Sequence, residues 1–153
     1  MAADFEIRLT PQGRQFQKEL EELIKLEVAV GYQEGLTYPD GTSVAEVAIY
    51  NDLGTAHSPS RPFMRDSING HKQEIEQFMQ RQAKGIANGK KAKDVLEQIG
   101  AFQTKLIQKE IVQGDFVPNS PATIRKKGSS TPLIDTGLMR QSVHFVVRER
   151  GSD

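Results

Sequence analysis

Residues 4–9 alternate, with Phe5, Ile7 and Leu9 on one side and Asp4, Glu6 and Arg8 on the other. That period of two predicts a half-buried strand. Thr10-Pro11 follows, an N-cap residue and then proline at the first helical position. Phe16, Leu20, Leu23 and Ile24 recur at helical spacing among glutamates, which predicts an amphipathic helix over 11–25. Glu19, Glu21 and Glu22 fall on its expected solvent face. A second strand is expected over 26–32, with Val28 and Val30 facing one way and Gly31 marking a bulge or a close backbone approach. Tyr38-Pro39-Asp40-Gly41 reads as a turn. Ser43 then caps a short helix, and Glu46 stands at the capping-box position.

The next stretch runs from Asn51-Asp52-Leu53-Gly54-Thr55 to Ser60-Arg61-Pro62-Phe63-Met64-Arg65. Gly54 can end a helix through a left-handed residue. Pro59 and Pro62 disfavour helix in the residues before them, and Pro62 suits the first turn of the next one. Phe63 and Met64 are expected to enter a core while Arg61 and Arg65 stay outside. Met64, Ile68, His71, Ile75, Phe78, Gln82 and Ile86 keep a helical spacing that predicts a helix over 63–87, interrupted at Asn69-Gly70. After Asn88-Gly89 a further helix is expected over 91–112, with Val95, Ile99, Phe102, Leu106 and Ile107 on its apolar side. The two should pack as an antiparallel hairpin.

Residues 113–136 change character, with Pro118, Pro121, Pro132, Gly114 and Gly128 among polar residues. An extended loop is expected there, with one short helical turn after Ser120-Pro121; over 114–134 it reads as a mobile docking arm. Thr136-Gly137-Leu138 is expected to make a tight turn that delivers Leu138 to the core, and a strand follows over 143–149. The whole predicts one α+β domain over residues 1–153. A small, mainly antiparallel sheet of strands 4–9, 27–32 and 143–149 packs against a long helical hairpin, with an extended loop before the last strand.

Composition narrows the function. The chain carries 20 basic and 20 acidic residues and no cysteine. A free-standing nucleic-acid binder usually has a basic excess, and without cysteine neither disulfides nor thiolate metal sites can form. Met1 to Glu6 lack the basic start and apolar core of a secretory leader, so none is expected. No apolar run approaches the roughly 20 residues that span a bilayer, so no membrane partner is expected.

No catalytic constellation is legible. His57, His71 and His144 stand far apart in separate elements, with no metal-ligand spacing between any two. His57-Ser58 lacks a nucleophile elbow, and no phosphate-binding glycine loop is present. Lys90, Lys91 and Lys93 read as a solvated turn and helix start. Arg125, Lys126 and Lys127 are candidates for sequence-indifferent phosphate contact, because they lie on the expected loop. No cofactor, metal or catalytic residue is expected.

Two stretches together carry a family resemblance. One is Asn51-Asp52-Leu53-Gly54-Thr55 with Ser60-Arg61-Pro62-Phe63. The other is Ser120-Pro121-Ala122-Thr123-Ile124-Arg125-Lys126-Lys127-Gly128 with Leu133-Ile134-Asp135-Thr136-Gly137-Leu138. In order and spacing, over residues 28–147, the chain resembles the tailed-bacteriophage virion-morphogenesis proteins: neck, head–tail connector and tail-completion subunits. Their pattern is an Asn-Glu-Phe-Gly-Thr-like segment, an Ala-Arg-Pro-Phe segment and a late Leu-Ile-Asp-Thr-Gly-x-Leu segment. Here Asp52-Leu53 stands for the usual Glu-Phe, and Ser60 for the alanine.

The resemblance implies a non-enzymatic virion subunit, made in the bacterial host cytoplasm. It implies a homo-oligomeric ring at the head–tail junction, in contact with other neck, connector or tail-terminator proteins. Genome DNA would pass through its channel without sequence-specific binding. The motif residues Asn51, Gly54, Thr55, Arg61, Pro62, Phe63, Arg125, Lys126, Lys127, Asp135, Thr136, Gly137 and Leu138 would then specify the fold or display surfaces for neighbours. Two rivals remain open: a tail-terminator or minor tail subunit of the same particle, and a nucleic-acid-binding accessory protein.

Overall fold

A computed structural model describes residues 7–152. The elements in order are α1 (Pro11–Lys25), β1 (Leu26–Tyr32), α2 (Val44–Leu53), α3 (Phe63–Asn69), α4 (Lys72–Ala87), α5 (Ala92–Gln113), α6 (Pro121–Lys127), α7 (Leu138–Gln141) and β2 (Val143–Glu149). The class is α+β, as the hydrophobic pattern predicts. Helix α5 is the element the others pack on, touching both strands and α1, α3, α4 and α7.

The described sheet has two antiparallel strands, in continuous register from Leu26 opposite Glu149 to Tyr32 opposite Val143. Val28, Val30 and Tyr32 share a face with Val147, Phe145 and Val143. That face meets α5, where a Cβ on Gly100 would stand 2.5 Å from the Phe145 ring. The opposite face pairs Glu27 with Arg148 at 2.8 Å and leaves Val146 45% exposed. The expected strand over 4–9 lies partly outside the described residues, and residues 7–9 join no strand. Gly31 sits in regular register opposite His144 with nothing closer than 4.0 Å to a built Cβ, so it marks neither a bulge nor a tight approach.

One buried cluster gathers Val44 and Ala48 of α2, Phe63 of α3, Ile107 and Ile111 of α5, then Leu133, Met139 and Val143. Phe63 is fully buried and meets Tyr32 edge-on, ring centroids 6.5 Å apart. Toward the other end of α5, Ala92, Val95 and Leu96 are buried, as is Ile86 of α4. Phe78 stacks on Phe102 at 4.2 Å within the α4–α5 hairpin.

Three expectations about the helices change. The helix expected over 63–87 is two, α3 and α4, because Asn69 and Gly70 end the first and His71 starts the second from a non-helical conformation. Both ring nitrogens of His71 are held by carboxylates, Nε2 by Glu110 at 2.9 Å and Nδ1 by Glu74 at 3.2 Å. The stripe on α1 faces outward, with Phe16 37%, Leu20 38% and Ile24 69% exposed.

Glu19, expected in solvent, is instead buried on α1. Its Oε2 accepts the Ala92 backbone N–H at 2.8 Å, so a carboxylate on α1 caps the start of α5 across the fold. The capping residue of α5 is Lys91, whose side chain makes no capping bond, which is why the acceptor comes from elsewhere.

Candidate functional site

The first motif builds the corner between α2 and α3. Gly54 ends α2 at φ 78°, ψ 170°, a region essentially closed to other residues, though not the left-handed helical one. A Cβ there would stand 2.8 Å from the Ser60 nitrogen. Thr55 closes the following turn, its N–H donating to Ser58 O at 2.9 Å. Ser60 Oγ donates to Asp52 O at 2.7 Å, and the Arg61 N–H to Asn51 O at 2.7 Å. Pro62 has the capping position of α3 but no side chain to cap with. Asp52 supplies the cap: its Oδ1 accepts the Met64 N–H at 2.9 Å, and its Oδ2 lies 3.8 Å from Arg65 Nε. Gly54, Thr55, Pro62 and Phe63 therefore hold the fold.

Arg61 does not stay outside; it is 6% exposed. Nε donates to Val117 O at 2.8 Å and Nη2 to Asn119 Oδ1 at 3.0 Å. Asn119 Nδ2 donates onward to Pro132 O at 3.1 Å, and Lys127 Nζ donates to Thr131 O at 2.7 Å and Pro132 O at 3.1 Å. The segment read as an extended docking arm is thus tied to the body. Its short helix is α6, capped by Ser120 Oγ accepting from the Thr123 N–H and ended by left-handed Gly128. Leu133 is buried in the core.

The second motif closes the same region. Gly137 is left-handed at φ 80°, and Thr136 Oγ1 accepts the Leu138 N–H at 3.3 Å. A four-residue helix, α7, begins there. Met139 is the side chain it buries, at 4% exposed, and Leu138 only packs against the cluster's edge.

The two motifs, about 70 residues apart in sequence, meet on one groove of about 490 Å3. Asn51 and Arg61 line it from the first motif, and Lys127, Asp135, Thr136, Gly137 and Leu138 from the second. Arg125 and Lys126 do not line it; they are exposed on α6. Tyr38, Thr42 and Asn119 also line it and were not expected to. The turn at Tyr38-Pro39-Asp40-Gly41 is legible in sequence, but no local signal says it folds toward Asp135.

Electrostatics follow from partial burial. Arg61 is held below its ordinary pKa by burial, yet a guanidinium stays protonated in proteins. Burial also lowers Lys127; Asp135 opposes that and Arg61 adds to it. Burial raises Tyr38, with Asp135 and Asp40 adding to the effect. The groove is a mixed surface: two cations, carboxylates near them, and apolar walls from Val47, Leu133 and Met139. Such a surface suits binding a polar group with apolar flanks.

Among the described residues no group of three or more histidine or acidic side chains is placed to hold a metal ion, and no helix is long and apolar enough to cross a membrane. Comparisons with protein-family models, with curated proteins and with solved structures found no match.

Proposed function

We propose that the protein is a structural subunit of a tailed-phage particle that assembles as a ring at the head–tail junction, with the groove as a docking surface for a neighbour. The observation that supports this reading is the convergence of both motif stretches on one groove, knitted by the bonds from Arg61 to Val117 and Asn119. A sequence that only specified a core would not need a buried cation and four further polar motif positions around an open cleft. The resemblance of the same stretches to neck and tail-completion subunits supplies the particle. Formal neutrality leaves no long-range repulsion between like subunits. A closed ring needs a heterologous interface whose rotation closes.

Native mass in solution, alone and with purified tailless heads or free tails, tests the reading. A ring, or a monomer that becomes one only on a particle, is the expected result. The particle it joins separates a neck subunit from a tail terminator. A monomer that ignores both particles but binds duplex DNA with a steep salt dependence overturns the reading in favour of an accessory protein.

A further inference from the structure

Arg61 carries a charge that no carboxylate pairs with directly among the described residues. It is 6% exposed and takes part in none of the ion pairs among the described residues. Its two acceptors, Val117 O and Asn119 Oδ1, are neutral, and Nη1 makes no hydrogen bond among the described residues. Burying an ion with only neutral acceptors costs free energy that an anion would offset. A second cation, Lys127, lines the same groove and spends its bonds on two carbonyls.

The charge is not open to any anion. Asp40 and Asp135 also line the groove, and each further negative charge on a ligand meets their repulsion. A chain of phosphates is therefore disfavoured against a single carboxylate. Val47, Leu133, Leu138 and Met139 give the lining an apolar part, beside neutral polar side chains such as Asn51, Asn119 and Thr136, and the volume of about 490 Å3 is that of a pocket for a small ligand or a few side chains.

We infer that the groove is a carboxylate-binding site, which takes an acidic side chain flanked by apolar residues from a segment of a partner polypeptide, with Arg61 as donor and Lys127 as second cation. This rests on the groove being a docking surface and not on its place in a virion. The carboxylate completes the unused donor of a preformed fork, a charge-assisted bond stronger than one to a neutral amide. The apolar walls take the flanking side chains.

The test is a titration of the whole 15N-labelled protein with an acetylated, amidated Leu-Glu-Leu peptide, its Leu-Gln-Leu counterpart, inorganic phosphate and a DNA duplex. The glutamate peptide is expected to move the Arg61 Nε–H and the amide signals of Asn119, Thr136 and Leu138. The glutamine peptide should bind about tenfold more weakly or worse. Arg61→Lys should abolish the difference, but Arg61 also braces the 117–132 segment and that variant risks the fold. Asp135→Asn is the safer variant, because Asp135 is exposed and makes no hydrogen bond among the described residues. It should tighten the glutamate peptide about threefold by removing a like charge, a gain no misfolding can imitate.

Equal binding of the two peptides overturns the inference, as does an Asp135→Asn protein that binds no better. Phosphate or duplex moving the groove signals while the glutamate peptide does not would reassign it to phosphate. Peptide binding by a protein that ignores phage particles would uphold this inference and remove the virion placement.

Discussion

Phe63 is the largest fully buried side chain among the described residues. It is fully buried between α2, α5 and β1 and meets Tyr32 edge-on. Phe63→Ala removes a ring from a closed site and should cost about 3–5 kcal/mol. A free-energy loss from urea unfolding of less than a quarter of that would show that the site collapses or was never tight. Tyr32 next to it makes the opposite case. Its hydroxyl is buried with no partner among the described residues, and burial, Tyr38 and Asp52 all hold its proton on. Tyr32→Phe removes a polar atom that forms no bond, so stability should hold or rise by about 1 kcal/mol. A clear loss in the same urea experiment would mean that the hydroxyl is bonded in solution.

At the scale of elements, two joints decide the architecture. Gly54 turns the chain from α2 to α3 through a conformation open only to glycine, with Ser60 backbone where a Cβ would go. Gly54→Ala should therefore cost about 1–3 kcal/mol from the backbone alone. Thermal unfolding of that variant within a degree of the parent would refute it.

The second joint is His71, where α3 gives way to α4 and Glu110 reaches over from α5. Hydrogen bonds to Glu110 and then Glu74 raise its pKa above the ordinary 6.5, against the desolvation that lowers it. A raised folded pKa means the protonated form is the one the fold stabilises. That contribution is complete below the unfolded value of 6.5 and is lost as pH climbs through the folded value. Stability should fall over that window in the parent and stay level in His71→Asn, as read from urea midpoints across pH 5 to 9 (about two units either side of neutrality).

The same joints show what the sequence made legible. The bounds of α1, β1, α2 and β2 follow from caps and periods that act within a few residues, such as Thr10 Oγ1 accepting from Gly13 and Ser43 Oγ from Glu46. The break at Asn69-Gly70 was visible as an interruption, but the partner that holds His71 there was not, because Glu110 stands 39 residues away. Glu19 looks like any solvated glutamate until α5 arrives beside it, and Arg61 looks like a surface cation until the 117–132 segment folds over it. In each case the missing information is a partner distant in sequence. The motif positions were legible; their meeting on one groove was not.

At the scale of the whole molecule, the outward stripe of α1 is the feature that solvent alone explains least. Phe16, Leu20 and Ile24 lie one turn apart on a single face, and Ile24 is 69% exposed. A ring of like subunits, as proposed, has most to gain by covering such a face, since fully burying one large aliphatic side chain contributes about 1.5–3 kcal/mol. The same helix is held to the body by packing on α4, α5 and β1, and by Glu19, which caps α5. A charge on the stripe should therefore spare the monomer and remove the ring. Ile24→Lys is expected to melt with the parent protein and to run as a monomer where the parent runs as a ring, weakening association at least tenfold. If Ile24→Lys still forms the ring, the subunit interface lies elsewhere, and the groove and the exposed end of α2 at Ile49, Tyr50 and Leu53 become the faces to alter next.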